Sequence, residues 1–231
     1  MNPALLLLTD SRLPAGGHAH SGGTEQAIAT GAVHDLASLA AFLRGRLHTS
    51  GHVAAALAAA ACALSTTGSP DAEADARTAS WDLLDAEADA RTASPAQRDA
   101  SRTQGRLLLR VARRLWPSVV LDGLARAVPN PHHPIALGAA AHAAGASPED
   151  AALAAAYHAI TGPATAAVRL LGLDPVAVHG LLADLAPDLA TTATAPGLTD
   201  LPWAELPARS APALDLLAER HAGAKVRLFV S

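Results

Sequence analysis

Three helix-capping side chains that directly precede a proline constrain the fold more than any other feature of this sequence. The three pairs are Ser94-Pro95, Ser147-Pro148 and Asp174-Pro175. Proline suits the first position of a helix because its missing N–H would have no partner there, whereas inside a helix or a central strand it removes a hydrogen bond. The pairs therefore predict three helices that begin at these prolines. Gln97, three residues after Ser94, is typical of a capping box.

The first third of the chain has the periodicity of an amphipathic helix. Apolar residues recur at spacings of three and four, at Leu36, Leu39, Ala40, Leu43 and Leu47. Asp35 is a suitable N-cap for this helix. We expect Gly51 to separate it from an alanine-rich helix over about residues 52–65, which is apolar on most faces and therefore belongs at the centre of the fold. We also expect Gly162-Pro163 to kink or break the helical run from about 148 to 171.

The composition indicates the fold class. Half of the residues are apolar but only 3% are aromatic, so the core must be built from alanine, leucine and valine, and alanine is the best helix former. Strand signals are scarce. We therefore predict an all-α fold, a single-domain bundle of about eight to ten helices over residues 1–231. A proline-rich loop occupies residues 196–212, a last helix spans about 212–222, and residues 223–231 form a tail.

One internal repeat is present. The segment DAEADARTAS occurs at residues 71–80 and again at 85–94. A shift of about 14 residues turns a helix by nearly a whole number of turns, so an insertion of this length extends a helix without rotating its faces much. Because the repeat is polar, we interpret residues 71–94 as a duplicated polar segment that forms or extends a solvent-exposed helix.

Charge and targeting signals exclude several classes of protein. The formal net charge is −4, which gives no support for a nucleic acid partner. The N-terminus lacks the basic region of a signal peptide, and no stretch is long and apolar enough to predict a membrane span. The single cysteine, Cys62, excludes a disulfide within the chain. These features predict a cytoplasmic protein that does not associate with a membrane.

The eleven histidines raise the possibility of a metal site. The candidates are His18 and His20 in one segment and the adjacent pair His132 and His133. They are weak candidates, because neither pair has the spacing of a helical motif such as H-E-x-x-H and no cysteine pair accompanies them. A metallohydrolase that uses these histidines remains an alternative function. We predict no resident cofactor.

A row of arginines repeats at every fourth position, at Arg98, Arg102, Arg106, Arg110 and Arg114. Such a row lies along one side of a helix. It has two interpretations: a solvated face that pairs with the acidic residues of the duplicated segment, or a docking face for a partner.

Five segments, in order along the chain, resemble one known family. They are TDSRLPAGGHAHSGGTE (9–25), RTASPAQRDASRTQGRLLLRVA (91–112), HHPIALGAAAHAAG (132–145), AYHAITGPATAAVRLLGLDP (156–175) and VRLFVS (226–231). This arrangement is similar to that of the urease accessory proteins called UreF. The chain departs from the family pattern at His18 and Val226, where many relatives carry aromatic residues.

The resemblance implies an all-helical homodimer that is not an enzyme. It implies that the chain bridges a second accessory protein, UreD (also called UreH), and the GTPase UreG during nickel insertion into the urease apoprotein. A helical adaptor of some other complex remains the alternative. The candidate partner-binding residues are Gly17, His20, Ser21, Glu25, Arg220, His221, Arg227, Leu228 and Phe229.

The tail has two possible states. Val226, Leu228 and Val230 alternate with Arg227 and Phe229, and apolar side chains gain free energy when they are buried. The tail either packs onto its own subunit or is mobile alone and becomes ordered on UreD. We prefer the second interpretation, in which Arg227 pairs with a carboxylate of the partner.

Overall fold

The computed structural model describes residues 2–66, 74–195 and 201–231, with the side chains of 74–78 left out. Within these ranges it contains eleven α-helices and no strand, which confirms the all-α prediction. The helices are α1 (Pro3–Thr9), α2 (Thr24–Ala29), α3 (Leu36–Leu64), α4 (Ala74–Ala90), α5 (Pro95–Leu115), α6 (Val119–Ala127), α7 (His133–Ala143), α8 (Pro148–Leu171), α9 (Pro175–Asp184), α10 (Ala186–Ala193) and α11 (Pro212–Ala222). Two short 3₁₀ turns lie at Gly17–Ala19 and Trp203–Glu205.

The predicted helix starts are confirmed by their hydrogen bonds. The side chains of Ser94, Ser147 and Asp174 each accept a bond from a backbone N–H in the first turn of the helix that follows. Gln97 does not complete the capping box expected at Ser94, because its side-chain amide donates instead to Asp215 of α11. Ser94 thus caps the helix without a reciprocal bond from Gln97, whose side chain makes a tertiary contact with α11.

The central helix α3 is continuous, and the separation expected at Gly51 is wrong. The chain passes from Leu36–Arg46 through a π-helical turn at Leu47–Gly51 into His52–Leu64. A single glycine costs a helix only about 1 kcal/mol, and burial on both sides outweighs that cost. This helix is long and apolar enough to cross a membrane, but 61% of the relevant window is buried inside the protein. It is therefore weak evidence for a membrane span and fits a core helix.

Small side chains allow the helices at the centre to approach closely. The alanine-rich half of α3 packs between α7 and α8, and α7 packs in turn against α5. At Gly138 of α7, an added Cβ would lie 2.2 Å from the carbonyl oxygen of Ala58 and 2.7 Å from the Cβ of Ala61. Only glycine fits at this crossing, so the low aromatic content of the sequence corresponds to a core in which backbones nearly touch.

The duplicated segment is not the solvent-exposed helix that we expected. Where its side chains are described, α4 buries Trp81, Leu84 and Ala88, which repeat at the spacing of one helix face. Asp85 is also buried. The polar letters of the repeat concealed this apolar face, because two of its buried residues lie in the spacer WDLL between the two copies. The part of the first copy at residues 71–73 lies outside the described residues.

Arg91, from the second copy of the repeat, fastens the described part of the proline-rich loop. Its guanidinium donates to the backbone carbonyls of Trp203, Leu206 and Pro207. Its side chain is only 5% exposed. Residues 201–211 of the loop predicted at 196–212 are therefore held in place by one arginine, and residues 196–200 lie outside the described residues.

Replacing Trp81 tests whether the duplicated segment belongs to the core. We expect Trp81→Ala to lower the free energy of unfolding by about 3–5 kcal/mol, because it removes a large, fully buried side chain and leaves a cavity. Leu83→Ala on the same helix is the matched control, since Leu83 is 61% exposed, and it should change stability by less than about 0.5 kcal/mol. Urea unfolding followed by circular dichroism measures both. Equal stability of the two variants would contradict the assignment.

Candidate partner-binding site

The C-terminal tail is hydrogen-bonded to the N-terminal part of the chain through Glu25 of α2. Both oxygens of the Glu25 carboxylate accept backbone N–H groups, one from Leu228 at 2.6 Å and the other from Phe229 at 3.0 Å. The side chain of Phe229 is buried. One side chain thus fixes the direction in which the last residues run.

Further bonds hold the end of the tail. The N–H of Val230 donates to the carbonyl of Ala19 at 2.7 Å, and the N–H of Ser21 donates to the carbonyl of Ser231. A hydrogen bond of 2.6 Å joins His20 Nδ1 to the hydroxyl of Ser231. We call this arrangement the tail clamp: residues 19–21, Glu25 and His221 around the tail residues 228–231.

The tail clamp corrects the expectation of a mobile tail. The structure places residues 228–231 on their own subunit, which is the alternative that we did not prefer. The physical reason is backbone pairing: the tail N–H groups find acceptors in Glu25 and Ala19. The side chains that are buried are also not the ones that the alternation suggested: Phe229 is buried, whereas Val226, Leu228 and Val230 are exposed.

The glycine-rich segment before α2 has the backbone conformation that the clamp requires. Gly22 has a φ of +60°, in the left-handed region that favours glycine. A Cβ at this position would lie 3.0 Å from Pro163 Cγ and 3.1 Å from a nitrogen of the Arg46 guanidinium. Gly17, by contrast, has open space around it. The turn therefore depends on Gly22, whereas the space around Gly17 would admit a side chain.

Arg46 connects the glycine turn to the central helices. Its Nε donates to the carbonyl of Ala159 at 2.7 Å, and its Nη1 donates to the carbonyl of Gly22 at 2.8 Å. Burial lowers the pKa of Arg46 to about 10. Ala159 lies four residues before Pro163, which has no N–H to complete the helix, so Arg46 supplies the missing donor. Helix α8 continues through Pro163, so of the kink or break that we expected, the break does not occur.

Most of the residues proposed for partner binding meet at the tail clamp. His20, Ser21, Glu25, His221 and the tail are in contact with one another, since His221 Nε2 bonds the carbonyl of Phe229 at 3.2 Å. Arg220 and Arg227 are exposed. Gly17 begins the 3₁₀ turn that precedes His20. The sequence analysis did not identify Arg46 or Ser231, because their roles depend on hydrogen-bond partners that are distant in sequence.

The outer surface of the clamp is apolar. Val226 is 92% exposed, Leu228 68% and Val230 56%, and Leu216 of α11 is 60% exposed. The N–H groups of Leu228, Phe229 and Val230 are already paired, so the side chains of Leu228 and Val230 are displayed to solvent on a fixed backbone. Exposed apolar groups held in this way are typical of a protein–protein contact surface.

The four histidines proposed as metal ligands do not form one site. His18 is exposed, and His20 bonds the tail. His132 and His133 diverge: His132 faces α4, whereas His133 stacks near His158, with ring centroids 5.7 Å apart. His20, His133 and His158 line a common cavity of about 670 Å³. His158 was not singled out from the sequence.

Burial keeps the cavity histidines neutral. It lowers the pKa of His133 to about 3 and that of His158 to about 4; the neighbouring imidazoles of His158 and His20 depress the pKa of His133 further. The backbone of Leu8 opposes the shift at His158. The cavity therefore presents imidazoles and not imidazolium cations at neutral pH.

Asp85, Asp89 and His132 are the one group of at least three possible metal ligands whose ligand atoms lie close together in the described residues. Their ligand atoms are already used. Asp85 pairs with Arg102 at 2.9 Å and accepts the N–H of His132 at 2.8 Å. Asp89 pairs with Arg102 at 2.6 Å and with His132 Nε2 at 2.8 Å. A guanidinium between the two carboxylates takes the place that a cation would need, so the donor set does not fit a metal and instead ties α4 to α5 and α7.

The fold and the clamp together define an all-helical protein with an exposed apolar surface of the kind that binds other proteins. A family model described as UreF matches residues 33–186. The urease accessory protein UreF of Mycolicibacterium vanbaalenii is 47% identical over 98% of this chain and 97% of its own length. The proteins of the same name from Mycobacterium sp. (strain JLS) and Mycobacterium tuberculosis (strain H37Rv) are 46% and 44% identical over the same shares.

The chain belongs to the UreF family of urease accessory proteins. This confirms the resemblance seen in the five segments. The relatives are named as accessory proteins, in agreement with the expectation that the chain is not an enzyme. The histidines proposed for the metallohydrolase alternative do not come together as one site in the part of the chain that the structure describes.

Substitution at Gly22 tests the backbone requirement of the clamp. We expect Gly22→Val to lower the melting temperature by several degrees or to prevent folding, because a β-branched residue is strained at positive φ and would contact Pro163 and Arg46. Gly17→Val, in open space, is the matched control and should melt close to the wild type. Differential scanning calorimetry of both variants is the measurement. A Gly22→Val protein with normal stability would show that the turn is not required.

The buried histidines predict a loss of stability in mild acid. In the unfolded chain they titrate near pH 6.5, whereas the folded pKa values lie near 3 and 4. The unfolded state therefore binds more protons below pH 6.5, and stability falls as the pH drops from 7 to 5, by on the order of 1–2 kcal/mol per histidine. Urea unfolding at both pH values measures this. His158→Gln should flatten the dependence; the control His34→Gln, on an exposed side chain, should not.

Proposed function

We propose that this protein bridges UreD (UreH) and the GTPase UreG and so supports nickel insertion into the urease apoprotein. In this proposal the protein acts in the cytoplasm as a homodimer, holds no resident cofactor, and handles nickel only as the cargo of the complex. Membership of the UreF family supports the general role in urease maturation, and the tail clamp supports a protein-binding mode of action.

The observation that carries the proposal is the apolar strip on the tail clamp. Leu228 and Val230 are exposed on a backbone that Glu25 and Ala19 hold in place, and Val226 is exposed two residues before Leu228. Such a preorganised surface loses little conformational entropy when a partner covers it. We assign UreD to this strip, with Arg227 at its edge available to a carboxylate of UreD.

The assignment differs in one respect from the interpretation of the sequence alone. The tail need not pass from disorder to order on binding, because the free chain already has acceptors for its N–H groups. UreD then either covers the docked tail or displaces it from Glu25. In both cases the exposed apolar side chains supply the contact, and the proposal requires only that they be available.

A single exposed residue tests this proposal without disturbing the fold. We expect Leu228→Ser to abolish, or to reduce at least tenfold, the capture of UreD in a pull-down from co-expressing cells, because the contact loses a central apolar group. The melting temperature should remain that of the wild type. The matched control is Lys225→Ser, which changes an exposed side chain of the same segment and should leave the capture of UreD unchanged.

Removal of residues 224–231 gives the second arm of the experiment. The truncated chain should remain helical, lose UreD and fail to restore urease activity in a strain that lacks the gene. Wild-type capture of UreD by both the truncated chain and Leu228→Ser would show that the tail is not the docking element.

A further inference from the structure

The second half of α5 carries arginines for which the fold provides no partner. The row at every fourth position divides into two parts. Arg98 donates to backbone carbonyls and Arg102 to two carboxylates of α4. Arg106, Arg110 and Arg114 are exposed, and within residues 2–66, 74–195 and 201–231 they make no hydrogen bond or ion pair. Contacts within the fold therefore account for Arg98 and Arg102 but not for the three arginines that follow.

These arginines border a groove between α5 and α6 with a volume of about 500 Å³. Its lining includes Arg106, Arg110, Arg113 and Arg114, together with Leu109 and Ala125. The only carboxylate of the lining, Asp122, is paired with Arg113 at 2.7 Å. The groove thus concentrates unneutralised positive charge in a chain whose formal net charge is −4.

The spacing of the charges indicates the kind of partner. Residues four apart on a helix are separated by about 6 Å along its axis and about 40° around it, so Arg106, Arg110 and Arg114 follow an inclined row along one side of α5. Carboxylates at every fourth position of an opposing helix have the same spacing, and guanidinium binds carboxylate through two parallel hydrogen bonds. The half-buried Ala125 gives such a helix a small apolar surface to rest on.

Other polyanions fit the groove less well. Proteins that bind single-stranded nucleic acid combine positive charge with aromatic side chains on which bases stack. The lining of this groove, as described, contains no aromatic residue. Its concave form between two helices also favours a rod over a flat surface.

We infer that the α5–α6 groove is a docking site for an acidic helix of a protein partner, one that presents carboxylates at every fourth position. None of the residues of the tail clamp lines this groove. The two surfaces are therefore separate, and the inference does not depend on which protein the tail binds.

A designed pair of peptides tests the inference directly. One is a fluorescein-labelled helical peptide of alanine and lysine with glutamate at every fourth position, and the other has glutamine at those positions. Fluorescence anisotropy of the full chain at 50 mM salt should show at least tenfold tighter binding of the glutamate peptide, and this preference should weaken at 300 mM salt because charge pairing at the surface is screened.

A matched pair of variants separates the groove from net charge. Arg110→Glu should reduce the affinity for the glutamate peptide at least tenfold. Arg169→Glu, on an exposed face of α8, makes the same change in charge and should reduce it less than twofold. Circular dichroism and thermal melts confirm that both variants are folded, and Arg110→Gln serves in place of Arg110→Glu if the latter does not fold.

Three results would overturn the inference. One is equal binding of the two peptides. Another is an equal loss of affinity in the Arg110 and Arg169 variants. The third is tighter binding, with the same dependence on Arg110, to vesicles of phosphatidylcholine and phosphatidylglycerol or to a 20-nucleotide RNA. The chain truncated at residue 223 should bind the glutamate peptide normally, so failure of the UreD proposal and failure of this inference are distinguishable.

Discussion

The buried guanidinium of Arg46 is the interaction on which the candidate site depends. It donates to the carbonyl that Pro163 leaves free in α8 and to the carbonyl of Gly22 in the turn before α2. A buried charge is costly unless its donors are used, and here two donors reach backbone oxygens that otherwise have no partner. The result is one rigid connection among α3, α8 and the glycine turn.

The tail clamp is built on that connection. The turn held by Arg46 sets the start of α2, and α2 presents Glu25 to the N–H groups of Leu228 and Phe229. Residues 19–25 and the tail therefore meet at one place, beside α8, against which α2 packs. A displayed apolar strip on a fixed backbone suits a protein whose relatives are accessory proteins, because recognition then costs little ordering.

Charged residues of α4 and α5 serve two different purposes. In the first half of α5, Arg102 pairs with Asp85 and Asp89, and His132 is hydrogen-bonded to the same two carboxylates, so this group joins three helices. In the second half of α5, Arg106, Arg110 and Arg114 do not pair with the described acidic side chains of α4 and are exposed to solvent. The arginines are evenly spaced in the sequence, yet the two halves of the row differ, because the described part of α4 provides carboxylate partners only in the first half, at Arg102.

The sequence by itself determined the helical class, most of the helix starts and the family, because capping, periodicity and short motifs are local properties. It also singled out Glu25, His20, Ser21 and the tail. It missed the continuity of α8, the burial of Trp81 and the role of Arg46. Only the tertiary structure decided these features, because each depends on groups that are distant in sequence. The continuity of α8 and the role of Arg46 both depend on the carbonyl that Pro163 leaves free, and the burial of Trp81 depends on a core surface for α4. The position of the tail likewise depends on acceptors for its N–H groups.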